Sequence, residues 1–122
     1  MQHSLPGPHD ITRHTLPNGI TVLARENINS PSVVVDASIH AGSIYEGRSH
    51  AGLANFTAAM LMCGTSNASF EQIHERIESV GASLGSSCGV HTGGFSGKTL
   101  AEDLDMLLGT AADVVRNPAF PA

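Results

Sequence analysis

The sequence predicts an α/β (α+β) domain, a two-layer sandwich in which a mostly antiparallel sheet carries helices on one face. Three observations lead there. Over residues 33–41, Val33, Val35, Ala37, Ile39 and Ala41 fall on one side of an alternating pattern, the period of a half-buried strand. Residues 69–81 and 99–117 instead repeat apolar side chains every three or four positions, the period of helices that cover a sheet. Residues 82–98 carry no charge before Lys98 and are rich in Gly and Ser, which fits two short strands and a turn near Gly89.

In order, residues 1–9, with Pro6 and Pro8, read as a flexible arm ahead of a domain over 10–122. A hairpin follows: an extended run over 11–16, a turn at Pro17-Asn18-Gly19, and a return over 20–25 with Ile20, Val22 and Ala24 on one face. A turn over 26–31 leads into the 33–41 strand, and a polar loop over 42–50 enters the next helix. That helix, bounded by Gly52 and Gly64, lies in a run from Ser49 to Phe70 without Asp, Glu, Lys or Arg. Leu53, Ala54, Phe56, Ala58, Ala59, Met60, Leu61 and Met62 would cover both of its faces, so burial all round is expected. Ser49 is its candidate cap and Gly64 its left-handed stop. Only residues 58–63 are strictly apolar, far short of the about 20 residues that cross a bilayer, so no membrane span is expected.

Ser69 and Gln72 have capping-box spacing, Phe70, Ile73, Ile77 and Val80 form one stripe, and Gly81 ends that helix. Strands over 83–88 and 91–98 come next. Thr99 and Glu102 repeat the capping-box spacing, and Leu104, Leu107, Leu108, Ala111 and Val115 form the expected core face of a final helix that Asn117-Pro118 stops.

A chain of 122 residues fits one domain and would bury roughly two thirds of its unfolded surface. With 6 basic against 11 acidic residues and no Lys/Arg cluster, it lacks the electrostatic footprint of a nucleic-acid binder. Cys63 and Cys88 form no metal-type pair and read as reduced, mostly buried thiols. The opening residues show no basic region followed by an apolar core, so no secretion signal is expected and the expected compartment is cytoplasmic. No two of the seven histidines have the i, i+2 or i, i+4 spacing that places imidazoles together on one element. His74 is expected on the solvated face of its helix, together with Glu71, Glu75, Arg76 and Glu78.

The run Gly52-Leu53-Ala54-Asn55-Phe56-Thr57-Ala58-Ala59-Met60-Leu61-Met62-Cys63-Gly64-Thr65 resembles the zinc helix of the pitrilysin/insulinase-like metallopeptidases, which include the mitochondrial processing peptidases. Members typically carry Gly-Leu-Ala-His-x-x-Glu-His-Met-Leu-x-x-Gly-Thr, in which two His bind zinc and Glu activates water. The likeness continues through Leu16-Pro17-Asn18-Gly19, Ala41-Gly42-Ser43, Gly81-Ala82-Ser83-Leu84, the 98–104 segment and Asn117-Pro118-Ala119-Phe120. It implies the first part of the family's repeated two-layer unit, whose complete domain would run past Ala122. The frame is intact and the chemistry is not. Asn55 and Ala59 stand where the His residues would be, and Ala58 where the Glu would be. A catalytic zinc takes three protein ligands and keeps a water position open. Ala has no donor atom, Asn is a poor ligand, and the family's third ligand, a Glu, would fall beyond Ala122. No catalytic residue, metal or cofactor is therefore expected here, zinc belonging to active family members.

The resemblance implies a non-catalytic partner of a homologous catalytic subunit or domain, the two halves enclosing a chamber. Peptide would add in extended form to an edge strand at Leu84, Gly85, Ser86 and Ser87 through backbone hydrogen bonds. The same small residues equally suit close packing or a bulge. A second reading is a zinc metalloendopeptidase with atypical ligands including His50 or His91. A third is a purely structural assembly subunit, as resemblance to respiratory-complex core proteins permits. Metal content separates the first from the second, and peptide binding the first from the third. A homo-oligomer is also expected, through apolar surface on the 33–41 strand, the 83–95 hairpin and the Leu104/Leu108/Ala111/Val115 stripe.

Overall fold

A computed structural model describes residues 7–121 and forms two compact units that divide between Pro31 and Ser32. In the first unit, Pro8–Asp10 make a 3-10 turn, and β1 (Thr12–Thr15) pairs antiparallel with β2 (Thr21–Ala24), Thr12 opposite Ala24 and Thr15 opposite Thr21. The Pro-Asn-Gly turn closes as its residues dictate. Gly19 takes φ +90° and its N–H donates to the Leu16 carbonyl (2.9 Å), while Asn18 Oδ1 accepts from the Ile20 N–H (3.2 Å). Residues 1–6 of the expected arm lie outside the described residues.

The second unit runs β3 (Ser32–Ile39), α1 (Leu53–Leu61), α2 (Phe70–Glu78), β4 (Ser83–Cys88), β5 (Gly93–Leu100) and α3 (Leu104–Arg116). Its antiparallel sheet has the order β3-β5-β4, so the last strand in sequence is central and β4 is an edge. Val35 and Leu84 both lie opposite Gly97 and so share its face of the sheet. An added Cβ at Gly97 would sit 3.2 Å from Leu107 Cδ2, which places α3 against this face. The architecture is the expected mixed α/β one, with antiparallel sheets and three helices.

α2 starts where its caps predict. The Gln72 N–H donates to Ser69 Oγ (3.3 Å) and the Ser69 N–H to Gln72 Oε1 (2.9 Å), while Gly81 beyond its end has φ +65°. Ile73 and Ile77 are buried with Ala68 and Val114 in one cluster, and Leu61, Met62, Ala82 and Leu84 pack around it.

Four expectations give way. The Thr99/Glu102 capping box does not form: Thr99 is buried in β5, a 3-10 turn covers Ala101–Asp103, and α3 begins after Asp103. Its pairing opposite Val33 of β3 holds Thr99 extended against its local cap signal. The buried face of α3 is Leu107, Thr110, Ala111 and Val114, whereas Leu108 and Val115 are exposed. Val114 closes on Ile73 and Ile77, which turns the helix away from the face that periodicity alone selects. α1 is not buried all round: only Ala58 is, while Phe56 is 65% and Leu53 52% exposed. His74 is half-buried rather than solvated, its ring 4.2 Å from that of Phe70 and its Nε2 enclosed without a hydrogen-bond partner.

Candidate functional site

The residues singled out by sequence meet around α1 and β4. Two backbone bonds fasten the loop before α1 to the β4–β5 turn: the Ser43 N–H donates to the Gly89 carbonyl (3.0 Å) and the Ile44 N–H to that of Val90 (2.9 Å). Gly42 is buried there, and only glycine fits because a Cβ would collide with the Val90 carbonyl. The chain then enters α1 through Gly52, whose φ of +92° requires glycine.

The first turn of α1 is capped by Glu46. The Gly52 N–H donates to Glu46 Oε2 (2.8 Å) and the Ala54 N–H to Glu46 Oε1 (2.6 Å), so one carboxylate answers two free donors at the positive end of the helix. Ser49, the expected cap, instead has its Oγ 3.0 Å from His50 Nδ1. Sequence reasoning missed Glu46 because its donors lie six and eight residues away, outside the N-cap to N3 spacing that marks a capping box.

The three motif positions do not share one environment. Asn55 and Ala59 are exposed on α1, whereas Ala58 is buried at 9% exposure and faces the sheet. Beneath Ala58 is a cavity of about 150 Å³ whose walls include Ala37, Ala54, Leu61 and Phe95. β4 runs past this point as an edge strand: Gly85 and Ser87 are exposed, and Leu84 and Ser86 are half-buried. The Ser86 hydroxyl is already engaged, donating to the Ala58 carbonyl at 2.5 Å.

His50 is exposed close to the start of α1, and His91 is exposed in the β4–β5 turn. Among the described residues no group of three or more His, Cys, Asp or Glu is arranged to hold a metal ion. Cys63 and Cys88 are free and half-buried, their thiols donating to the carbonyls of Ala59 (3.6 Å) and Ala41 (3.4 Å).

The turn between α1 and α2 is fixed by Asp113, a second residue the sequence did not single out. Its carboxylate accepts from Thr65 Oγ1 (2.7 Å), Asn67 Nδ2 (2.6 Å) and Asn117 Nδ2 (2.8 Å). The Thr65 bond, then those of Asn117 and Asn67, hold the Asp113 carboxyl below the ordinary carboxylate value. Only its i, i+4 bond from Asn117 is local, and Thr65 and Asn67 lie 48 and 46 positions away.

The site rests on a known sequence pattern. Residues 21–122 match the one described as "Insulinase (Peptidase family M16)". The chain belongs to the insulinase family, peptidase family M16. Among M16 relatives it is 29% identical over 106 residues to a probable mitochondrial-processing peptidase subunit beta of Arabidopsis thaliana, covering 87% of this chain and 20% of that protein. It is 30% identical over 105 residues to an uncharacterized zinc protease of Rickettsia bellii, covering 86% of this chain and 26% of the relative. In structure it resembles a peptidase M16 inactive domain from Pseudomonas fluorescens with a TM-score of 0.83 and 27% identity, over 92% of this chain and 27% of that one. The M16 chain thus spans between a fifth and a third of these proteins. Among the described residues no helix is long and apolar enough to cross a membrane.

The residues present do not fit the zinc named in the Rickettsia relative's description. Two of the three motif positions are methyl side chains without a donor atom, and the described residues offer no substitute cluster.

Proposed function

We propose that this chain is a non-catalytic peptidase-homologue domain that binds extended peptide and partners a homologous catalytic subunit or domain. The observation that carries the reading is the position of β4 at the sheet edge, hydrogen-bonded to β5 alone among the described strands and running beside α1. An edge strand offers a row of backbone donors and acceptors that a second extended chain can join. Small side chains at Gly85 and Ser87 leave that row approachable, and Ser86 has its hydroxyl turned to Ala58.

In this reading Asn55, Ala58 and Ala59 do no chemistry: neither alanine can bind metal or accept a proton from water. The inactive-domain description of the Pseudomonas structure supports the same role, and the subunit named in the Arabidopsis relative supports a partnered assembly. Zinc and hydrolysis would then belong to the partner.

The test is fluorescence polarisation with a labelled ten-residue Val/Thr-rich peptide and its alternately backbone-N-methylated analogue. Saturable binding of the first, at least tenfold weaker binding of the second, and no cleavage of either are expected. Equal binding of both peptides, or chelator-sensitive cleavage, would overturn the reading.

A further inference from the structure

The three-stranded sheet has two edges, and they differ in charge. β3 carries Asp36, whereas β4 carries no Asp, Glu, Lys or Arg. A charge on an edge strand discourages a further strand from pairing, so β4 is the open edge.

The backbone of β4 shows which of its groups face outward. A Cβ added at Gly97 would lie 2.9 Å from the Ser83 carbonyl oxygen, and one at Gly93 would lie 3.5 Å from that of Ser87, so both carbonyls turn toward β5. At the β4–β5 turn the Gly89 N–H donates to the Thr92 carbonyl (2.8 Å). The odd-numbered residues of β4 therefore direct their N–H and C=O groups to β5. By the alternation of an antiparallel ladder, those of Leu84, Ser86 and Cys88 turn to the other side. Among the described residues no hydrogen bond engages these outward groups. The row is closed at both ends: the Ala82 N–H donates to the Ile77 carbonyl (3.0 Å), and the Gly89 carbonyl accepts from the Ser43 N–H (3.0 Å). Two of the three residues are held from behind, Leu84 by packing on the Ile73/Ile77/Val114 cluster and Ser86 by its bond to the Ala58 carbonyl. Their backbone groups are thus presented in fixed positions, which lowers the ordering cost of pairing.

We propose that residues 84–88 are the peptide-contacting stretch, and that Leu84, Ser86 and Cys88 bind one extended peptide through their backbone N–H and C=O groups while Gly85 and Ser87 take no part. This rests on the reading of the chain as a peptide-binding domain and adds which groups bind and what they accept. Peptide residues that face Leu84, Ser86 and Cys88 each need a free N–H, so proline is excluded there.

The test is amide hydrogen exchange, followed residue by residue by NMR on the full 122-residue chain with and without the ten-residue Val/Thr-rich peptide. Without peptide, the N–H groups of Leu84, Ser86 and Cys88 should exchange about tenfold or more faster than those of Gly85 and Ser87. With saturating peptide they should slow to match, and Val34 of β3 should not change. Ser86→Pro removes the middle donor, and Ser86→Ala loses the same hydroxyl bond but keeps that donor. The proline variant should bind the peptide about tenfold more weakly than the alanine variant. Binding by polarisation while the three amides stay fast would overturn the assignment and leave peptide binding standing, as would equal binding by the two variants. The three amides being slow already in the free chain, as pairing with a second copy would make them, would overturn it too. No binding of the peptide at all would overturn both the assignment and the reading on which it rests.

Discussion

The Ser86 hydroxyl donates to the Ala58 carbonyl across 2.5 Å, joining the edge strand β4 to the helix α1. The bond links residues 28 positions apart. Replacing Ser86 with Ala should therefore cost about 1 kcal/mol, the usual net worth of one such bond. Hydrogen exchange should show amide protection falling first in β4 and at the end of α1. Unchanged exchange in both elements would contradict a bracing role.

Glu46 is expected to control the start of α1. Glu46→Ala removes the acceptor for the Gly52 and Ala54 N–H groups and should cost about 1–2 kcal/mol, while Glu46→Gln should retain part of the effect. Chemical denaturation of the two variants checks both the size and the order.

Asp113 sets an acid limit on stability. Hydrogen bonding lowers its folded pKa below the ordinary 3.8, so its contribution is complete above about that pH and is lost as pH falls through the lower folded value. Glu71, lowered by its backbone bond and by the Ser69 hydroxyl, acts in the same direction. Asp113→Asn should flatten the loss of stability in that acid range, as measured by thermal midpoints taken from pH 2 to pH 7. A variant with the same acid slope as the parent would show that Asp113 is not responsible.

Restoring the motif should not restore a peptidase. Ala58→Glu would place a carboxylate against an apolar cavity without a cationic partner, at a cost of about 3 kcal/mol or more unless the group takes up a proton. Asn55→His and Ala59→His act on exposed positions and should fold, yet two imidazoles leave zinc short of its third ligand. Chelator-sensitive turnover by the triple variant would refute this.

Self-association follows from the exposed apolar surface. Leu53 and Phe56 on α1 and Phe120 line one surface depression and are all more than 40% exposed. Patches of this kind usually mark contact surfaces. Sedimentation at micromolar concentration should give a dimer or larger species, and a stable monomer would refute it.

Much of the fold was legible where the signal is local. The Asn-Gly turn and the Ser69/Gln72 capping box each work within four residues and are present as read; of the Phe70/Ile73/Ile77/Val80 stripe, Ile73 and Ile77 are buried while Phe70 is 47% exposed. The candidate site was legible in part: the Leu84–Ser87 segment does lie on an edge strand, but the occupied state of the Ser86 hydroxyl has no sequence signal. α1 misled for a physical reason. A uniform apolar run fixes that a helix forms but carries no moment to say which face turns inward, so exposure of Phe56 could not be read from it.

By itself the sequence determined the element types, the capping box of α2 and the absence of side-chain donor atoms at residues 58 and 59. Chain chemistry and short-range hydrogen bonding are enough for those. Only the tertiary structure decided that Thr99 stays in a strand, that α3 turns Val114 inward, that Glu46 caps α1 while Asp113 holds the α1–α2 turn, and that an apolar pocket lies beneath Ala58. Each of these joins residues from different elements, where ladder pairing, packing and long-range hydrogen bonds outweigh local preference.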